Sequence, residues 1–131
     1  MGQYYKVVNL DKKQYLHPHR FGDGLKLMEF GPSGDGTMAA LAVLLADGNG
    51  RGGGDIHSKD PLVGSWAGDR VVITGDYSDR SWKDESENVD APVAGKPRNL
   101  YGRLDDDGFD DISDRMRALF IAADETIGDP L

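Results

Sequence analysis

Three groups of side chains in this sequence are of types that could do chemistry. The first is the run Gly50-Arg51-Gly52-Gly53-Gly54-Asp55-Ile56-His57. Consecutive glycines let backbone N–H groups converge on an anion, and Arg51 can add a bidentate contact to a phosphate. The run follows an expected helix rather than a strand, and no Gly-Lys-Ser or Gly-Lys-Thr step completes a nucleotide loop. A mobile loop tip is the plain alternative. The second group is the pair of steps Gly68-Asp69 and Gly75-Asp76, which bracket an apolar run and lead into Tyr77 and Asp79. Carboxylates at the C-terminal end of a strand lie where α/β sites form, so Asp76 and Asp79 suit a general base or a metal ligand. Gly-Asp is also ordinary turn chemistry at strand ends. The third group is His17, His19 and His57. On an extended segment His17 and His19 point to the same side. Joined by His57 and Asp76, they offer imidazole and carboxylate to a divalent metal, the ligand types for hydrolysis by metal-bound water. Pro18 separates the two histidines, the spacing matches no zinc signature, and a solvated turn explains the pair equally well.

These residues define two alternative sites. A ligand-binding site comprises Arg51, Gly52, Gly53, Gly54, Asp55, Asp69, Asp76, Tyr77 and Asp79. A metal site comprises His17, His19, His57 and Asp76. Of the two tryptophans, Trp66 suits the core, whereas Trp82, set in Arg80-Ser81-Trp82-Lys83, suits an exposed contact. The acidic run Asp105 to Asp111 does not fit a calcium loop, because counting back from Gly108 places Arg103 at the first ligand position. It fits the start of a helix, where the dipole favours negative charge.

The elements that must position these groups follow from periodicity. Residues 3–10 are rich in β-formers and residues 14–17 can pair back on them, which predicts an N-terminal hairpin ended by Pro18. Residues 25–30 fit a strand or a turn or two of helix. A helix over residues 38–46, capped by Asp35 or Thr37, is apolar nearly all round and is expected to be buried. Residues 63–66 suggest a short strand. Residues 70–74 are the strongest strand signal, with an unbroken apolar centre that predicts a central position. Residues 78–99 are polar, contain Pro92 and Pro97, and are expected to form a flexible excursion. Ile112, Met116, Leu119, Phe120 and Ala123 then fall on one face of a helix over residues 112–126. The order of elements predicts an α+β fold: a small, mainly antiparallel sheet with an N-terminal hairpin, covered by two helices, in one domain over residues 1–131.

Composition narrows the function classes. The chain has 131 residues, with 23 Asp and Glu against 15 Lys and Arg, for a net charge of −8. Direct binding to a nucleic-acid backbone is disfavoured, since it needs clustered cations. Acidity keeps a domain soluble, or lets it meet a basic protein surface. The chain has no cysteine, which excludes disulfides, thiolate metal sites and cysteine nucleophiles. The longest apolar stretch, residues 38–46, is too short to cross a bilayer, and residues 1–5 do not read as a signal peptide.

Met1-Gly2-Gln3-Tyr4-Tyr5, the phrase Gly24-Leu25-Lys26-Leu27-Met28-Glu29, and Trp66-Ala67-Gly68-Asp69 followed by Gly75-Asp76-Tyr77-Ser78-Asp79 together resemble a family of short phage and bacterial proteins. The resemblance spans about residues 1–79 and brings no assigned activity and no catalytic residues. It implies a phage or mobile-element accessory protein in a bacterial cytoplasm, engaging a host component and in some cases a defence system. The sequence is therefore expected to be a non-enzymatic binding module without a cofactor, taking a host protein or a small anionic ligand such as a nucleotide. A metal-dependent hydrolase and an acidic decoy for a basic nucleic-acid-binding surface are the alternatives.

Overall fold

The computed structural model describes residues 3–32, 34, 36–51, 55–78, 80, 82 and 99–127, with side chains of the last helix described as far as Ala123. The expectations for Asp35, Gly52, Gly53, Gly54, Asp79 and most of residues 78–99 lie outside the described residues.

The fold is α+β, built among the described residues on a four-stranded mixed sheet with an N-terminal hairpin. Strand β1 (Tyr5–Asn9) turns back into β2 (Gln14–Leu16), with Val7 opposite Leu16 and Val8 opposite Tyr15. Strand β3 (Val71–Gly75) lies antiparallel on the other side of β1, with Tyr5 opposite Gly75 and Lys6 opposite Thr74. Strand β4 (Asp110–Asp111) adds to β2 in parallel, giving the order β3-β1-β2-β4. Two of the three pairings are antiparallel.

The apolar run of β3 predicted a central strand, but among the described strands β3 is at an edge and β1 is central. Val7, Val8 and Asn9 of β1 are fully buried because neighbours cover both faces and both edges, whereas Val71, Val72 and Ile73 are only half-buried. Burial on one face is enough to select an unbroken apolar run when the other face is partly covered as well.

Helices α1 (Leu27–Phe30), α2 (Thr37–Leu45), α3 (Leu100–Arg103) and α4 (Ser113–Ile127) complete the chain, with a 3-10 turn at Pro18–Phe21. One face of the sheet carries the main core. Val7 and Leu16 meet Phe30, Leu41, Leu44 and Trp66, and Met116 and Leu119 close it from α4 at the predicted spacing. Helix α2 buries Ala40, Leu41 and Leu44 but leaves Ala42 and Leu45 exposed, so its all-round apolarity does not mean all-round burial. Its first turn is capped from a distance. Asp23 Oδ2 accepts hydrogen bonds from the Thr37 backbone N–H and hydroxyl, each at 2.8 Å.

Residues 61–68 form turns where a strand was expected at 63–66. Gly64, at φ +76°, sits so close to the end of α2 that a Cβ there would lie 2.5 Å from the Ala46 carbonyl oxygen. Its N–H donates to Val43 O at 2.9 Å, so the segment satisfies the C-terminus of a helix instead of joining a sheet. The acidic run leads into the last helix through a strand, and the Asp111 carboxylate accepts from the Ser113 N–H at the helix start at 2.9 Å. The run turns at Gly108 (φ +77°) and supplies β4, and α4 begins only at Ser113.

The second face of the sheet is covered more thinly. Val8, Tyr15 and Val72 pack against Leu100 and Leu104, with Leu10 and Phe109 at the margin. Between them, the two faces set the context of both ends of β3.

Candidate functional site

The two Gly-Asp steps occupy opposite ends of β3, and different partners hold each. At the start of the strand Asp69 Oδ2 accepts from Asn9 Nδ2 at 2.9 Å and pairs with the Lys12 ammonium at 2.5 Å. Asn9 Oδ1 in turn accepts from the backbone N–H groups of Asp11 (2.9 Å) and Lys12 (2.7 Å), which fixes the hairpin turn. Arg70 closes the group. Its backbone N–H and Nε donate to Asp11 at 2.8 and 2.9 Å, and Nη2 lies 2.8 Å from the same carboxylate. The Lys12 ammonium and then the Asn9 amide hold the Asp69 carboxyl below its usual range, and Arg70 does the same for Asp11. Asp69 is thus engaged in tying β3 to the hairpin.

At the other end, Asp76 Oδ1 accepts from the Tyr4 backbone N–H at 3.0 Å, while the Asp76 N–H donates to Tyr4 O at 3.0 Å. This reciprocal pair extends the β1–β3 ladder by one rung beyond Gly75. Gly75 has no Cβ for a reason: one would collide with the Gln3 amide, whose Oε1 passes over it to accept from Tyr77 N–H at 3.3 Å. The buried side chain of Asn99 fastens the corner from below. Its Nδ2 donates to Asp76 O (3.0 Å) and Ser78 O (2.8 Å), and its Oδ1 accepts from Gly102 N–H (3.0 Å), capping α3.

The side chains above this fixed backbone are aromatic. Tyr4 is 48% exposed and Tyr77 is 72% exposed. Tyr101, half-buried on α3, has its hydroxyl pKa raised by burial and then by the charge of Asp76 and by Tyr4, which places the three groups in one neighbourhood. The Lys6 ammonium stands 4.7 Å from the Tyr101 ring centroid and 5.4 Å from that of Tyr15. The corner therefore presents tyrosine rings, one carboxylate and one ring-held ammonium on a backbone with little freedom.

The remaining predicted residues are placed elsewhere. Arg51 is exposed, and its N–H donates to Asp55 Oδ2 at 2.7 Å, so the carboxylate of this loop occupies an N–H that an anion would need. His17 leaves β2 with its N–H on Ser113 Oγ at 2.8 Å, and its ring stacks on His19 at 5.6 Å. Burial, then the neighbouring Lys6 charge, holds its pKa below the usual histidine value. Among the described residues its Nδ1 is buried without a hydrogen-bond partner. His57 lies on an exposed loop. Among the described residues no group of three or more His, Asp or Glu is arranged to hold a metal, so His17, His19, His57 and Asp76 do not assemble the predicted cluster. Trp66 is fully buried, with Nε1 donating to Gln14 Oε1 at 2.8 Å.

Sequence reasoning took Asp76 and Tyr77 as site residues but missed Tyr4, Tyr101 and Asn99. Tyr4 was legible in principle. With Tyr5 packed edge-on against Phe30 in the core (centroids 6.5 Å apart), alternation sends its neighbour to the other face. Asn99 carries a local signal only as a helix cap, through Gly102, whereas its hold on Asp76 and Ser78 spans more than twenty residues, and Tyr101 carries no local signal.

The chain matches no protein-family model, no curated protein and no solved structure in the three comparisons made. Among the described residues no helix is long and apolar enough to cross a membrane.

Proposed function

We propose that this chain is a non-enzymatic binding module whose contact surface is the Tyr4–Asp76–Tyr77 corner, and that it engages a protein partner. The observation that carries this is the exposure of Tyr4 (48%) and Tyr77 (72%) on adjacent strand ends tied by the reciprocal Tyr4–Asp76 hydrogen bonds. Tyrosine is enriched in protein interfaces because it offers a large contact area and a polar tip while ordering only two side-chain torsions. A backbone already fixed by Asp76, Gln3 and Asn99 lowers the ordering cost of association further. The carboxylate and the chain's net charge of −8 favour a partner whose contact surface is basic. The resemblance to short phage and bacterial proteins supports a host protein in a bacterial cytoplasm as that partner.

The test is quantitative affinity purification from bacterial lysate with the wild-type chain and with Tyr4→Ser/Tyr77→Ser. The proposal expects a protein enriched by the wild type and lost by the variant, while circular dichroism shows the variant folded. Enrichment that survives both substitutions contradicts it.

A further inference from the structure

The second face of the sheet ends in a cavity of about 300 Å³ that lies apart from the tyrosine corner. Leu10, Leu100 and Phe109 form its apolar floor. Trp82, 37% exposed, lines it as well, as do two residues with cationic side chains, Lys13 and Arg103. Asp107 also lines the cavity, and its carboxylate accepts from Arg103 Nη1 at 3.0 Å, while Arg103 Nε donates to Asn99 O at 3.4 Å. The guanidinium is thereby oriented. A further cation lies close by, since the Arg80 guanidinium stands 4.6 Å from the centroid of the Trp82 ring. In a chain of net charge −8, Lys13, Arg103 and Arg80 outnumber Asp107, the carboxylate among the described lining residues.

A separate observation points to the same place. Among the described residues two non-glycine residues have left-handed backbone, Lys13 at φ +54° and Trp82 at φ +58°. Both line this cavity. Such a conformation is costly for a side chain with a Cβ, and at a hairpin turn glycine or asparagine relieves it. Lys13 ends the turn between β1 and β2, and its carbonyl accepts from Asp110 N–H at 2.9 Å, so the turn geometry alone would be better served by glycine. Strain of this kind concentrates where the side chain is needed for contact.

We propose that this cavity binds a planar aromatic ring carrying an anionic group, the chemistry shared by nucleoside monophosphates and small aromatic carboxylates. The ring stacks on the Trp82 indole against the apolar lining, and the anion pairs with Lys13. The volume is at the small end of ligand sites, which suits one ring and one anion rather than a dinucleotide.

The test is titration of the full chain with the four ribonucleoside monophosphates, benzoate, adenosine and inorganic phosphate. The change in tryptophan fluorescence on titration reports Trp82, because Trp66 also emits but is fully buried away from the ligand. Isothermal calorimetry serves the tryptophan variant. The proposal expects at least one monophosphate, or benzoate, to bind at least about tenfold more tightly than adenosine and phosphate. Trp82→Leu and Lys13→Gly should each weaken that ligand about tenfold. Lys13→Gly relieves backbone strain, so its Tm should hold or rise and lost binding cannot be ascribed to unfolding. Tyr4→Ser/Tyr77→Ser should leave the affinity unchanged, which separates this site from the protein-binding corner. Absence of binding by every anion, equal binding of phosphate or adenosine alone, or affinity that survives both cavity substitutions overturns the proposal.

Discussion

At the start of β3, Asp69 is enclosed by Asn9, Lys12 and the Asp11–Arg70 pair; at its end, Asp76 ties two strand ends together beneath exposed tyrosines. Both positions read as Gly-Asp after or before the same apolar run. The first carboxylate satisfies side chains of the hairpin, and its charge is matched by an ammonium. The second satisfies backbone N–H and leaves its surroundings open. The contrast shows that a carboxylate at a strand end takes its role from what the neighbouring strand delivers to it. Asn9 and Lys12 deliver polar groups, and Tyr4 delivers a backbone rung and an outward ring.

The largest effect should come from the closed end. Asn9 is fully buried, donates to Asp69 and accepts two backbone N–H groups. Asn9→Ala should cost about 2–3 kcal/mol of unfolding free energy, read by urea denaturation, because it removes three hydrogen bonds made by a fully buried side chain and leaves a void in its place. Partner enrichment should persist at temperatures where the variant is folded. A loss below about 0.5 kcal/mol would dissolve the distinction between the ends.

Next comes the direct exchange of the two carboxylates. Asp69→Asn should lower Tm by less than Asn9→Ala, and 1 M salt should narrow the difference from wild type, since the Lys12 pair is surface-exposed on one side. Asp76→Asn retains an amide oxygen for Tyr4 N–H and should leave Tm close to that of the wild type. Equal Tm losses in the two variants would mean that both ends are structural.

Acid gives a smaller effect. Asp11 and Asp69 have folded pKa values below their unfolded ones, so their stabilisation is complete above about pH 4 and is lost only below it. The closed end should therefore withstand mild acid. His17 behaves differently. Its folded pKa lies below the unfolded value of about 6.5, so its stabilising contribution is complete above that pH and is lost as pH falls. The groups facing it are the Lys6 and Arg20 cations, the His19 ring and, opposing the cations, Asp111. Tm should fall between pH 7.5 and 5.0 in the wild type and fall less in His17→Gln. The same fall in both proteins would remove His17 as the cause.

Much of the frame was legible in the sequence. The hairpin, the Arg70–Thr74 strand and the spacing from Ile112 to Ala123 all rest on local periodicity, and each is present in the fold. What local pattern could not supply was order. An unbroken Val-Val-Ile run is compatible with a central strand or with a covered edge, and only the pairing of β1 on both sides decides between them. The same holds for the site. Asp69 and Asp76 were visible as strand-end carboxylates, but Asn9 is 60 residues from the first and Tyr4 is 72 from the second. Nothing within either Gly-Asp step records which long-range partner will arrive. The Lys13 and Trp82 strain is equally invisible, because it is a property of backbone angles at residues whose types do not announce it.

One comparison tests the role of the Asp76 end most directly: partner recovery by wild type, Asp69→Asn and Tyr4→Ser/Tyr77→Ser, each measured alongside its Tm. Surface substitutions at Tyr4 and Tyr77 should change stability by no more than about 0.5 kcal/mol. The predicted result is that the tyrosine variant keeps its Tm and loses the partner, while Asp69→Asn loses Tm and keeps the partner. The reverse pattern, or retention of the partner by the tyrosine variant, contradicts the assignment of recognition to the Asp76 end.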